Sequence, residues 1–283
     1  MRCCVFAVSA ISLVLACAGP AAGQDPATIA IEHVNVVTMA NSSVLRDQTV
    51  LVADGLVTAV SPSGTVTVPD NALPVDGTGR FLIPGLAGTH VHILDVNDFP
   101  LLLAHGVTTV PNMSGSEMVL DWREQVEAGS LLGPTLYTTG PQIKPEPHPL
   151  VDIVVGLSDP ADAERVVGDQ VAAGYDLIRV WGDHEYESLA AVLRASDSSG
   201  IRVTGHLSDR VGLGGAVTLG ESSVAHIEEI INGDFNRQLD EGRIPIAVRE
   251  AQRGDLAIGT TLATYDMIAR ATSSQDDDAF IER

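Results

Sequence analysis

A repeated rhythm of strand, loop and helix runs from about residue 83 to the end of the 283-residue chain. Six apolar runs rich in β-branched residues recur about every 21 to 42 residues, the spacing of βα units. They are GVTTV near 106, PTLYT near 134, DLIRV near 176, IRVTGH near 201, SSVAH near 222 and LAIGTT near 256. Helical periodicity between them predicts an α/β fold, a TIM-type (β/α)8 barrel over residues 83–283.

The number of strands is one short of a barrel. FLIPG at 81–85 supplies the first strand and the six runs supply the others, which gives seven. The sequence then stops at DDDAFIER, inside an expected helix and without a Gly or Pro stop signal. An arc of seven strands leaves a row of unpaired backbone groups at its gap. We therefore expect an incomplete barrel and a sequence record that is truncated before strand eight.

Residues 28–82 differ from the barrel, because short alternating runs are broken there by turns. Asp54–Gly55 and Asp76–Gly77 each lie beside Val-rich runs. Glycine accepts a positive φ, so each pair indicates a hairpin or a tight turn. The segment is predicted to form a small β domain.

The first 23 residues follow the pattern of an export signal, with Arg2, an apolar stretch and a tail of small residues. The stretch is shorter than the ~20 residues of a spanning helix, which favours a cleaved signal peptide and a periplasmic or extracellular protein. The alternative is a lipoprotein signal that anchors the chain through Cys17. Cys3, Cys4 and Cys17 all lie in this segment, so a metal in the remaining chain must use His and carboxylate ligands.

The charge balance limits the partners of the chain. There are 37 Asp plus Glu against 16 Lys plus Arg, a formal charge of -21. Such a chain repels phosphate backbones and anionic lipid headgroups, which excludes nucleic acid and a charged membrane surface. A small-molecule or dipeptide substrate is expected, with no membrane span, and a homo-oligomer remains open.

Two histidines in PGLAGTHVHI at 84–93 carry the strongest chemical signal. His90 and His92 are two residues apart at the end of an apolar strand, so their side chains project to the same face. Both imidazoles can then reach one ion at ~2.0 to 2.1 Å. Taken alone, this pair is more often structural than ligating.

Two more histidines lie at strand ends, His206 after IRVTGH and His226 after SSVAH. In a parallel barrel the carboxyl ends of all strands open onto one mouth, so these side chains should converge with His90 and His92. The alternative is four buried histidines, each bonded to a backbone carbonyl. The pattern favours one metal centre.

These motifs resemble the amidohydrolase superfamily, in particular its imidazolonepropionase-like and prolidase-like metal-dependent hydrolases. The resemblance covers most of the chain and rests on IPGLAGTHVHI, GVTTVPNMSG, GPTLYTTGP, AGYDLIRVWG, VTGHL and SVAHIEE in that order. It implies a β-sandwich-like domain, to which residues 28–82 contribute, beside the barrel. It also implies that His90, His92, His206 and His226 bind one or two divalent metals, with zinc favoured.

Arg179 departs from the family pattern, because relatives have at this position a lysine that is carboxylated and bridges two metals. A guanidinium stays charged and only donates hydrogen bonds, so it would repel a second cation. One metal is therefore favoured over two. Arg179 itself is expected to bind a substrate carboxylate or to pair with an acid such as Asp183.

The family's catalytic acid is the second departure. The resemblance places an aspartate after strand eight, beyond the last residue, so the 283 residues alone are expected to be inactive. His226 or Glu228 are the substitutes considered for the proton acceptor. Glu228 and Glu229 are otherwise expected to form a solvated helix start.

Loop residues near the mouth complete the candidate site. His148, His184 and Tyr137 are candidates for substrate contact, and a surface or core position is the alternative for each. Together the features predict a metal-dependent hydrolase that cleaves a carbon–nitrogen bond in an amide, a cyclic amide or a dipeptide. The alternative is an exported, non-catalytic binding protein that has kept the barrel and lost the bridging and basic groups.

Overall fold

The computed structural model describes residues 28–150 and 152–273, and it divides into two compact units at Pro84. The predicted signal peptide over residues 1–23, with Cys17, lies outside the described residues, as does DDDAFIER. No helix in the two described stretches is long and apolar enough to cross a membrane.

The first unit is a five-stranded sheet. Its strands are β1 (Ile29–Val37), β2 (Val44–Ala53), β3 (Leu56–Pro62), β4 (Leu73–Asp76) and β5 (Phe81–Leu82). The first three form an antiparallel meander, and β4 and β5 both pair with β1 in parallel. Alternate side chains of β1 and β2, among them Val34, Val36 and Val50, form a small buried core.

Both Asp–Gly pairs form turns, as predicted. Asp54 and Gly55 have φ values of 54° and 74° between β2 and β3, which is the two-residue hairpin geometry that suits the strand twist. At the second pair, Asp76 accepts a hydrogen bond from the Thr78 N–H at 2.9 Å, and this tight turn follows β4.

The second unit alternates strands and helices. Its strands are β6 (Leu86–Ala87), β7 (Val107–Asn112), β8 (Thr135–Thr138), β9 (Gln142–Lys144), β10 (Val154–Gly156), β11 (Leu177–Val180), β12 (Arg202–His206), β13 (Ser223–Ala225) and β14 (Ala257–Gly259). Its helices are α1 (Asp98–Ala104), α2 (Glu117–Glu127), α3 (Ala163–Ala172), α4 (Tyr186–Ser198), α5 (Gly212–Leu219), α6 (Ile227–Asn232), α7 (Ile244–Arg253) and α8 (Leu262–Ser273), with a short 3-10 turn at Pro160–Asp162.

All strand pairings in this unit are parallel. The order is β6-β7-β8 in one sheet and β10-β9-β11-β12-β13-β14 in the other. A parallel bridge between Thr139 and Leu177 joins the residue after β8 to β11. The carboxyl ends of β6, β7, β8, β11, β12, β13 and β14 therefore succeed one another along a single arc, which is the barrel arrangement.

The first barrel strand is not where the sequence placed it. Phe81–Leu82 pairs with β1 in the first unit, and β6 at Leu86–Ala87 pairs with β7 instead. FLIPG is apolar and short, so its periodicity is the same whether it joins one sheet or the other. The other six predicted strands are present as β7, β8, β11, β12, β13 and β14, and β6 takes the place of the first strand.

The β9–β10 pair is an excursion that the sequence analysis did not predict. Both strands have three residues, and Ile143 of β9 pairs with Val180 of β11. The pair thus lies beside the fourth barrel strand, near the residues that follow it. Strands this short show too few residues for an alternating pattern to be recognised.

The helix predicted after Asp159 is confirmed, with one refinement. The Asp159 carboxylate accepts a hydrogen bond from the Ala161 N–H at 2.9 Å, and a 3-10 turn precedes α3. The chain leaves the helix through Gly174, whose φ is +87°. The predicted apolar face packs against β11 and α4 in the main core of the unit.

A buried acid gives a testable prediction about stability. Glu221 precedes β13, is 2% exposed, and has no hydrogen-bond partner for either carboxylate oxygen among the described residues. Burial raises its pKa from 4.5 to about 8. The group is neutral in the folded chain and ionised when unfolded, so the folded state loses stability as the pH rises from about 4.5 toward 8.

Glu221→Gln removes this titration. We expect little change in the free energy of unfolding at pH 5 and a gain of about 3 kcal/mol near pH 7. Urea unfolding at both pH values measures the difference. Glu124→Gln on the exposed face of α2 is the matched control. Equal pH dependence of the Glu221→Gln variant and the unchanged protein would contradict the assignment.

Candidate functional site

His90 and His92 lie on either side of Val91, whose backbone bridges to Asn112 at the end of β7. The buried Asn112 side chain accepts a hydrogen bond from the Ile93 N–H at 2.8 Å and so fixes the chain just after the pair. The Nε2 atoms of His90 and His92 are 3.1 Å apart. The two imidazoles therefore face one point, as their i, i+2 spacing predicts.

His206 and His226 meet this pair at the same end of the sheet. His206 is the last residue of β12, and His226 directly follows β13 with a φ of +69°. The ring centres of His90 and His226 are 4.6 Å apart, and those of His206 and His226 are 4.9 Å apart. A non-glycine residue at positive φ is uncommon, and the backbone strain at His226 places its ring against the other imidazoles.

Neighbouring side chains orient three of the four rings through Nδ1. His92 Nδ1 is 2.7 Å from Ser114 Oγ, and His226 Nδ1 is 3.1 Å from Thr261 Oγ1. His206 Nδ1 donates to Glu229 Oε1 at 2.6 Å. A ring whose Nδ1 carries the proton has its lone pair on Nε2, which is the form that binds a metal.

Arg179 projects into this cluster from β11. Its guanidinium is 2% exposed and donates to the backbone oxygen of Met113. Nη2 lies 3.2 Å from Nε2 of His206, and Nη1 lies 3.5 Å from Nε2 of His92. Because a guanidinium only donates, a hydrogen bond from it requires the lone pair of the imidazole Nε2 atom.

The electrostatics favour uncharged imidazoles. Partial burial, followed by the positive charge of Arg179, lowers the pKa of His90 to about 3 and that of His92 to about 4. Burial also lowers the pKa of His226. The pKa of Arg179 falls to about 10 through burial, so the guanidinium stays charged at neutral pH.

The donor set suits one divalent ion by its chemistry. Two ligands of a tetrahedral zinc at ~2.0–2.1 Å are separated by roughly 3.3 Å, close to the Nε2 spacing of His90 and His92. In the described stretches, however, no three His, Asp or Glu side chains are placed to share an ion. Arg179 lies against the Nε2 atoms of His92 and His206, where its positive charge opposes the binding of an additional cation.

Two expectations about loop and acid residues are wrong. His184 is 1% exposed, with Nδ1 3.2 Å from Ser188 Oγ and Nε2 donating to the Ile143 carbonyl at 3.0 Å, so it is structural and cannot contact substrate. Asp183 does not pair with Arg179, because its carboxylate accepts the Asp209 N–H instead.

The remaining predicted residues lie around the cluster. Tyr137 on β8 is 48% exposed and makes no ring contact with the imidazoles. The ring centre of His148 is 6.1 Å from that of Trp181, which is 6.0 Å from that of His206. Trp181 is therefore near both His148 and the imidazole cluster.

Sequence reasoning missed Glu229 and Lys144. Glu229 was expected to be solvated, yet its side chain is 16% exposed and holds His206, because α6 begins right after His226. Lys144 Nζ is 3.6 Å from the centre of the Trp181 ring. The sequence distinguishes Lys144 in one respect, because no other lysine occurs in the 283 residues.

No protein-family model matches the sequence. Among curated proteins, an adenine deaminase of Ruegeria sp. (strain TM1040) is 24% identical over 263 residues, covering 89% of this chain and 42% of the relative. An adenine deaminase of Paracoccus denitrificans (strain Pd 1222) is 29% identical over 134 residues, covering 44% of this chain and 22% of the relative. The chain thus spans less than half of the length of these relatives.

Solved structures match over a larger share of the chain. A prolidase complexed with N-methylphosphonate-L-proline has a TM-score of 0.70 at 16% identity, covering 86% of this chain and 68% of that one. A Xaa-Pro dipeptidase with bound methionine has a TM-score of 0.67 at 16% identity, covering 88% and 70%. Bottromycin amidohydrolase has a TM-score of 0.61 at 28% identity, covering 80% and 48%.

Proposed function

Because the chain has the fold of the amidohydrolase superfamily, we propose that it is a hydrolase of carbon–nitrogen bonds. The substrates proposed are an amide, a cyclic amide or a dipeptide. The observation that carries the proposal is the meeting of four imidazoles, from three separate strand ends, at the mouth of the strand arc. The names of the relatives, adenine deaminase, prolidase and amidohydrolase, support the reaction class.

We propose that one divalent metal, with zinc favoured, binds at this cluster. His90 and His92 would hold it together with His226 or His206. Such an ion, when bound, lowers the pKa of a water molecule toward ~7 and polarises a carbonyl oxygen. Arg179 makes a second ion unfavourable, because its buried charge lies beside His92 and His206.

The other residues orient these groups and accept a proton. Glu229 holds the His206 ring, as Ser114 and Thr261 hold those of His92 and His226. Glu228 has one buried carboxylate oxygen, Oε2, without a hydrogen-bond partner among the described residues. Burial lowers the pKa of His226 and the charge of Glu228 opposes that lowering, so the two side chains interact electrostatically. Glu228 is therefore the proposed proton acceptor.

A specific observation favours the alternative, an amidohydrolase-like protein that binds a ligand without turnover. The guanidinium of Arg179 donates to the same Nε2 lone pairs of His92 and His206 that a metal would use. If these contacts persist when the protein is loaded with metal, fewer than three imidazoles remain free to bind an ion.

Metal analysis combined with hydrolysis assays distinguishes the two functions. The protein expressed from its complete gene is incubated with zinc and dialysed, its metal content is measured, and it is tested on a panel of dipeptides, lactams and adenine. The hydrolase proposal predicts one ion per chain and release of amine, amino acid or ammonia from a panel member. Absence of both bound metal and turnover would support the binding protein.

A further inference from the structure

Lys144 is the one lysine in a chain of 283 residues that has 15 further basic residues, all arginine, and a formal charge of -21. It is the last residue of β9, the strand that pairs with β11 through Ile143 and Val180. The excursion after β8 therefore places this lysine next to the segment that follows Arg179.

Contacts around Lys144 hold its ammonium group over an aromatic ring. Nζ lies 3.6 Å from the centre of the Trp181 ring, a cation–π distance. The backbone N–H of Trp181 donates to the Ile143 carbonyl at 2.9 Å, which fixes the Trp181 backbone beside β9. At Gly182, a Cβ would make ordinary contacts with Lys144 Cε at 3.8 Å and Pro145 Cδ at 3.4 Å, and the φ of +98° is what favours glycine there.

Among the described residues, no carboxylate neutralises the charge of Lys144. Across residues 28–150 and 152–273, no carboxylate forms an ion pair with Nζ, although acidic residues outnumber basic ones by more than two to one in the sequence. Long-range repulsion from the acidic chain disfavours anionic ligands. The half-buried Lys144 ammonium, which has no carboxylate partner among the described residues, is a local exception to this repulsion and can attract an anionic ligand.

The Trp181 ring, over which the Lys144 ammonium lies, is also close to the imidazole cluster. The Trp181 ring centre is 6.0 Å from that of His206 and 6.1 Å from that of His148. His148 Nδ1 accepts the Leu150 N–H at 3.2 Å, so the neutral ring carries its proton on Nε2 and can donate a hydrogen bond. His148 also borders a groove of about 910 Å³ between α2, α3 and β10.

We propose that Lys144 binds the carboxylate of the substrate, with Trp181 as the surface beneath the bound molecule and His148 as a second donor. This assignment rests on the proposed function, which places the reacting bond at the imidazoles. In a dipeptide the terminal carboxylate lies only ~3–4 Å from the amide carbonyl carbon. The substrate class is then a dipeptide or N-acyl amino acid with a free carboxylate, rather than a lactam or a purine.

The test compares one ligand in two charge states. L-alanyl-L-proline and L-alanyl-L-prolinamide are titrated into the zinc-loaded chain by calorimetry. We expect the acid to bind about 10-fold more tightly than the amide, the value of one charge-assisted contact. Lys144→Gln should remove this preference, and Lys144→Arg should keep part of it. Arg202→Gln, at the opposite end of β12, is the control for loss of one positive charge and should change nothing.

A second measurement needs no substitution. Reductive methylation with ¹³C-formaldehyde labels the single lysine and the terminal amine, and dimethyl-lysine keeps its charge. Addition of the acid should shift the lysine resonance, whereas the prolinamide should not. An unmoved resonance, equal binding of acid and amide, or no binding of the acid at millimolar concentration would overturn the assignment.

The two proposals fail in different ways. If the acid binds through Lys144 and no peptide bond is cleaved, the carboxylate site stands and the hydrolase proposal falls. If acid and prolinamide are hydrolysed at equal rates by the unchanged protein, the hydrolase proposal stands and the role of Lys144 falls.

Discussion

Alanine in place of His92 is expected to reduce the bound zinc from one ion per chain to a trace, while the protein keeps its fold. The Nε2 atom of His92 lies 3.1 Å from that of His90. Removal of either ring leaves the ion one ligand short, and loss of a direct ligand should weaken binding by ~100-fold or more, since outer-shell losses alone reach that range. His90→Ala should have the same effect.

The measurement is metal content after dialysis, with circular dichroism to confirm the fold. His92 is exposed and contributes to no buried apolar cluster, so its loss should leave the melting temperature nearly unchanged. His33→Ala is the matched control, because it removes an exposed imidazole that pairs only with Asp47 in the first unit. Stoichiometric zinc in both His90→Ala and His92→Ala would refute the assignment of these ligands.

Arg179→Lys is expected to raise the metal content from one ion to two in bicarbonate buffer. The guanidinium is 2% exposed and faces His92 and His206, so its permanent charge repels an additional cation near these two imidazoles. A neutral lysine amine can capture carbon dioxide and become an anionic carbamate, which attracts a cation and can bridge two. Replacing the positive guanidinium with a negative carbamate changes repulsion of the second cation into attraction. The binding free energy of that cation should change by several kcal/mol at a buried site.

Metal content is measured with and without bicarbonate. Arg179→Met is the control variant, because it removes the charge and cannot form a carbamate, and it should stay at one ion. A metal count in Arg179→Lys that does not respond to bicarbonate would show that this position does not determine the number of ions.

The features predicted from the sequence are those that follow from periodicity. The carboxyl ends of the strands in a parallel barrel lie at one end of the barrel, so the sequence alone predicts that His206 and His226 lie near His90. The cap at Asp159 and the turn at Asp54–Gly55 follow from local hydrogen bonding and allowed φ values, and both are confirmed. The resemblance to the amidohydrolase superfamily is confirmed at the level of the fold.

The features that were missed depend on contacts between distant segments. His184 has a polar loop sequence around it, yet the Ile143 carbonyl from β9 accepts its hydrogen bond in the core. Glu229 pairs with His206 because α6 begins at the carboxyl end of the strands, shortly after the short strand β13. Lys144 depends on the short β9–β10 excursion, whose three-residue strands carry no recognisable pattern.

The most direct test of the central claim is an anomalous difference map from crystals grown with zinc and measured at the zinc edge. We predict one peak at ~2.0–2.1 Å from the Nε2 atoms of His90 and His92, with a third imidazole within the same distance. The guanidinium of Arg179 should occupy the position of a second ion. A map with no peak among the four imidazoles, or with a zinc ion bound elsewhere, would contradict the account.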